Sequence, residues 1–75
     1  MQELLELLKE ILPNVQWESD LNLVDEGILN SIDIITIISE ITDEYDIKVS
    51  SDEMKAENFN SVESIYNMIK RLEED

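Results

Sequence analysis

Ser31 directly follows Asn30 and opens the run Ile32-Asp33-Ile34-Ile35, a few residues past Gly27, the only glycine of the chain. Asn and Ser both favour helix starts, so the pair places a hydroxyl at the mouth of a strongly apolar helix. There the backbone is held while the side chain projects beside the helix end, with room for a second protein to approach. The free N–H groups and the positive end of the helix dipole tolerate an anionic substituent on that oxygen. Nucleophilic catalysis is a different matter. The chain has no histidine and no cysteine, which removes Ser-His-Asp chemistry, a catalytic thiol, a disulfide and a zinc-thiolate site. Taken alone, Asn30-Ser31 is what opens a helix in any protein, so the rest of the chain must decide what the hydroxyl is for.

The elements that hold Ser31 are legible from periodicity. From about Gln2 to Leu12, Leu4, Leu8 and Ile11 recur at helical spacing, Leu5 and Leu12 widen the stripe, and Glu3, Glu6, Lys9 and Glu10 face outward. Pro13 ends that helix, because the residue before a proline avoids the helical region. A long connection from about Asn14 to Asn30 is too long for a plain turn. Its Val15, Trp17, Leu21, Leu23, Val24, Ile28 and Leu29 predict that it packs over the helices, with Gly27 supplying either a turn at positive φ or a close approach of backbone. The second helix runs from Ser31 to about Tyr45. Asn30 is its N-cap, Asp33 lies at N3, and Ile34, Ile38, Ile41 and Tyr45 form its buried stripe with Ile37. Ile32 and Ile35 fall on a flanking stripe that continues to Ser39 and Thr42. Asp46 to Ser50 is a connector, and Ser50 or Ser51 caps a short helix through Asp52, Glu53 and Met54. The last helix begins after Phe59 with Asn60 and Glu63 as a capping box, and carries Val62, Ile65, Ile69 and Leu72 inward. The expected fold is all-α: one domain over residues 1–75, a bundle of three main helices and one short helix, with a long loop between the first two.

Charge narrows the partners. Nineteen acidic residues against five basic ones give a net charge of −14. Nucleic acid needs a basic surface and is not expected as a partner, nor is an anionic membrane surface, and no membrane insertion is expected. Proteins with basic patches are the expected partners, drawn in by long-range attraction. With 43% apolar residues at helical spacing, the acidity marks a folded surface rather than disorder. No apolar run is long enough to span a membrane and no signal peptide is visible, so a cytoplasmic location is expected. Asp20-Leu21-Asn22-Leu23-Val24-Asp25 matches a calcium loop at its first and third positions only; it has no glycine at the sixth and Ser31 at the twelfth, so no metal site is expected.

Three stretches carry a family resemblance that spans almost the whole chain. Asp25-Glu26-Gly27-Ile28-Leu29-Asn30-Ser31 resembles the acidic-Gly-hydrophobic-Leu-Asp-Ser run of acyl carrier proteins and peptidyl carrier domains. Ile41-Thr42-Asp43-Glu44-Tyr45-Asp46-Ile47 is similar to that family's Leu-Glu-Glu-Glu-Phe-Asp-Ile segment, and Asn58-Phe59-Asn60-Ser61-Val62 to the start of its fourth helix. The Gly-hydrophobic-Leu spacing is also similar to stand-alone D-alanyl carriers.

The resemblance implies an acyl-carrier-like four-helix bundle that is not an enzyme and has no catalytic residue. It implies 4'-phosphopantetheine bound covalently to Ser31, carrying acyl or aminoacyl groups as thioesters. The implied partners of this expected monomer are a phosphopantetheinyl transferase and acyl-loading or acyl-transfer enzymes with basic docking patches. Asn30, Ile32, Asp33, Ile35, Asp43 and Glu44 are the expected partner-binding residues. Two departures stand out. Asn30 replaces the family's usual Asp and removes a charge that a transferase commonly meets with a basic residue. Thr36, Ser39 and Thr42 occupy the partner-facing side of helix two, where fatty-acid-synthesis carriers show acidic or large apolar residues; this favours a carrier dedicated to one pathway. The competing class is a small acidic helical adaptor that binds basic proteins without modification, and intact mass after exposure to a transferase and coenzyme A separates the two.

Overall fold

A computed structural model describes residues 2–17 and 22–74. Leu21, expected to pack with the long loop, lies outside the described residues. The order is α1 (Gln2–Ile11), α2 (Ser31–Tyr45), a 3₁₀ turn (Ser51–Glu53), α3 (Ala56–Phe59) and α4 (Val62–Glu73), with no strand among the described residues. The three longer helices each bury one stripe against the others. Leu4 and Leu8 of α1, Ile37 and Ile41 of α2, and Ile65, Met68 and Ile69 of α4 are almost wholly removed from water. Phe59 of α3 is fully buried among them, so this single turn serves to seat one aromatic ring.

α2 contains six isoleucines within ten residues, a composition that also suits a strand. Helix is selected because only that geometry sorts them by environment. Ile37 and Ile41 are buried, Ile34 and Ile38 half-buried, and Ile32 and Ile35 exposed. The helix ends at Asp46, whose φ of 51° is left-handed.

The long loop packs as the apolar residues predict. Trp17, Leu23 and Leu29 are buried, and the Trp17 indole N–H donates to the Leu12 carbonyl at 3.1 Å. Between Asn22 and Leu29 the chain folds back on itself. Glu26 N–H donates to the Asn22 carbonyl, Gly27 N–H to Val24, and both Ile28 and Leu29 N–H groups to Leu23. Gly27 has φ of 75° and nothing near the place where a Cβ would stand, so its need is conformational rather than steric.

The second half departs from expectation in two places. The helix expected through Met54 is a 3₁₀ turn that stops at Glu53, and α3 follows it unpredicted. α4 is capped by Ser61, whose Oγ accepts the Ser64 N–H at 3.0 Å, and not by a box of Asn60 and Glu63. Asn60 is diverted because its side chain is committed to the long loop. The 3₁₀ turn is held to α4 by Arg71, which donates both guanidinium arms to Glu53 at 2.7 and 2.8 Å, while Asn58 donates to the Glu53 carbonyl.

Candidate functional site

Ser31 is the first residue of α2 and is exposed. Its placement starts one residue earlier. Asn30 is extended, with φ −103° and ψ −178°, and its Oδ1 accepts the Asp33 N–H at 2.9 Å. In return the Asn30 N–H donates to Asp33 Oδ2 at 3.2 Å. This reciprocal capping box satisfies two donors and fixes the direction in which the helix leaves the loop. The Asn30 carbonyl takes the Ile34 N–H at 3.0 Å and completes the first turn. Behind it, Leu29 is buried and anchors the end of the loop in the core.

The Ser31 hydroxyl has no hydrogen-bond partner among the described residues. The other helix-start serine differs: Ser61 Oγ is engaged with both the backbone and the hydroxyl of Ser64. Ser31 is therefore held in position by its neighbours while its own oxygen stays uncommitted. The opening N–H groups of the helix and the dipole behind them favour an anion on that oxygen, so a phosphodiester fits the position.

Around Ser31 the other sequence-selected residues take distinct places. Ile32 and Ile35 are 74% and 57% exposed, the two most exposed large apolar side chains among the described residues. Spaced i, i+3, they stand side by side on the outer face of α2, and adjoining exposed apolar side chains are the kind that mark a contact surface. Asp33 is half-buried and its carboxylate is already used in the cap. Asp43 and Glu44 are exposed near the far end of the same helix, about three and a half turns from Ser31. Ser39 and Thr42 belong to the same helix, and the Thr36 hydroxyl bonds back to the Ile32 carbonyl at 2.9 Å.

The charges at the C-terminal end of α2 run against its stability. Its last turn has no basic residue. Asp43, Glu44 and Asp46 stand at the negative end of the dipole, where acids are disfavoured, and no ion pair among the described residues engages them. No Lys or Arg occurs between Lys9 and Lys48. Lys55, Lys70 and Arg71 are paired with Glu57, Glu73 and Glu53, all beyond α2. At the end of α2 away from Ser31, burial pushes the Tyr45 hydroxyl above its usual value, with Glu3, Glu44 and Glu73 adding to the effect.

Sequence reasoning missed two residues. Met54, at the end of the 3₁₀ turn, is a third exposed large apolar side chain. Asn60 has the signature of a cap and is instead the main polar anchor of the loop before Ser31. Among the described residues no group of acidic side chains is arranged to hold a metal ion, and no helix is long and apolar enough to cross a membrane.

A family model described as a phosphopantetheine attachment site matches residues 2–69 of the chain. None of the curated proteins matches it.

Proposed function

The chain belongs to the phosphopantetheine-attachment family, whose domains are carriers with 4'-phosphopantetheine bound covalently to a serine, and from that premise we propose that Ser31 is the serine that bears the group. The observation that supports this most directly is the combination at Ser31 of a fixed backbone and an exposed, uncommitted hydroxyl. The bound arm would supply a thiol that takes acyl groups as thioesters. The chain's own contribution is to hold the attachment point still, to present a docking face, and to stay out of the chemistry.

The docking face is the exposed side of α2. Ile32 and Ile35 make the close apolar contact, and Asp33, Asp43 and Glu44 form the acidic rim, in keeping with the absence of any ion pair at Asp43 and Glu44 among the described residues. Its partners are the phosphopantetheinyl transferase and the enzymes that load or receive acyl or aminoacyl groups, each with a basic patch. The protein works as a monomer. Asn30 in place of an acid, together with the hydroxyl-bearing Thr36, Ser39 and Thr42, supports service to a dedicated biosynthetic pathway with its own transferase preference.

The test is incubation of the apo chain and of Ser31→Ala with a phosphopantetheinyl transferase and coenzyme A, followed by intact mass. The parent gains one phosphopantetheine group and the alanine variant gains none, with unchanged helical content because an exposed first-turn side chain contributes little to packing. Modification of the alanine variant, or no modification of the parent, contradicts the assignment.

A further inference from the structure

Asn60 stands one residue before the cap of α4, yet its side chain serves the loop that leads into Ser31. Its carbonyl accepts the Leu23 N–H at 2.9 Å. Its Oδ1 accepts the Val24 N–H at 2.9 Å and the Asp25 N–H at 3.1 Å, across 35 residues of sequence in the latter case. Its Nδ2 donates to Asp25 Oδ2 at 3.2 Å. Leu23, held by this clamp, uses its own carbonyl to take the Ile28 and Leu29 N–H groups at 2.9 Å each. Leu29 precedes Asn30, and Asn30 caps the helix that begins with Ser31. A short run of hydrogen bonds and peptide bonds therefore joins Asn60 to the attachment point.

The loop needs such an anchor. Asn22 to Leu29 belongs to no helix or strand, turns at a left-handed glycine, and carries the adjacent acids Asp25 and Glu26. Its conformation depends on tertiary bonds rather than on a regular backbone pattern. Asn is suited to the task because one side chain offers an acceptor with two lone pairs and a donor pair. Aspartate at the same place would lose the donor and set two carboxylates against each other.

We propose that Asn60 is a positioning residue for the modification of Ser31: by pinning Leu23–Asp25 it fixes where α2 starts and so where the hydroxyl meets the transferase. The inference rests on the assignment of Ser31 made above. It separates from a merely structural role in kinetics. A variant that only unfolds part of the population raises the apparent KM in proportion and leaves kcat alone. A variant that leaves the docking face of α2 intact but misplaces the hydroxyl lowers kcat and leaves KM unchanged.

The experiment measures steady-state loading of the full apo chain by a phosphopantetheinyl transferase with coenzyme A, beside amide hydrogen exchange. For Asn60→Ala, kcat falls by about tenfold or more with KM unchanged. The Ile28 and Leu29 amides exchange faster, and those of Ile37 and Ile41 keep their protection. Asn60→Asp behaves in the same way, and adding Asp25→Asn restores both readouts by reinstating a donor opposite the new carboxylate. Should the alanine variant fail to fold, the aspartate variant and its double mutant decide. Unchanged kcat, a loss confined to apparent KM, or a double mutant that recovers nothing overturns the proposal. An unaltered chain that is never loaded contradicts the Ser31 assignment itself and this proposal with it. Loading of parent and variants at equal rates contradicts the positioning role alone.

Discussion

At Ser31 and its neighbours the geometry divides labour among side chains that look interchangeable in sequence. Asn30 and Asp33 spend their polar atoms on each other's backbone, and the serine between them spends none. Asn30→Asp tests what the departure from the family's usual acid does. Both residues cap well, so thermal unfolding should report a stability change below about 1 kcal/mol, whereas loading by a broad-specificity transferase should quicken because a charge-assisted contact becomes available. Equal loading rates would show that Asn30 is not a recognition feature. Gly27→Ala belongs to the same scale. With φ of 75° and open space around the position, the cost is backbone strain alone, about 1 kcal/mol by denaturant unfolding. A loss several times larger would mean that the glycine has a packing role. The Asn30-Ser31 start, the left-handed turn at Gly27 and the exposure of Ile32 and Ile35 are all legible in sequence, because each follows from local spacing. Asn60 is not. Capping rules applied to Asn-Ser-Val-Glu pick the first candidate, and nothing local reveals that a loop 35 residues earlier has claimed it.

At the scale of elements, α2 is two surfaces on one rod. Ile37→Ala, in the core, should destabilise the fold by about 2–5 kcal/mol. Ile35→Ala should leave unfolding nearly unchanged and weaken loading by a cognate enzyme, with little dependence on salt, since the substitution removes apolar surface and no charge. The boundaries of α1 and α2 and the start of α4 can be read from the apolar period and the caps, within a residue or so. α3 cannot, because one turn with a single buried Phe59 has no period to detect. The segment before α3 depends on a charge pair instead. The hydrogen bond from Arg71 holds the Glu53 carboxyl below the ordinary carboxylate range, and the guanidinium charge and Asn58 lower it further. The unfolded chain therefore takes up the Glu53 proton first as pH falls. The stabilisation is complete above the ordinary carboxylate value and is lost as pH drops through the lower, folded-state value. Glu53→Gln should lower the unfolding temperature at neutral pH, and its gap from the parent should close in strong acid; a gap that persists unchanged would rule out the ion pair as its cause.

Across the whole molecule the net charge of −14 is distributed unevenly, since the stretch between Lys9 and Lys48 holds no base at all. An acidic surface of this kind accelerates encounter with basic partners and is weakened by salt. Asp43→Lys or Glu44→Lys should slow acyl loading by a cognate enzyme, with a smaller effect at high salt, while Glu6→Lys, on α1, should do much less. Equal losses from near and remote reversals would leave total charge as the only factor and remove the docking face from the account. The loading expectations depend on one assignment, and peptide-level mass spectrometry tests it most directly. After treatment of the apo chain with a phosphopantetheinyl transferase and coenzyme A, proteolysis should place one phosphopantetheine group on the peptide containing Ser31, with Ser39, Ser61 and the other serines unmodified. A chain left at its apo mass, or a group found on any other serine, would contradict it.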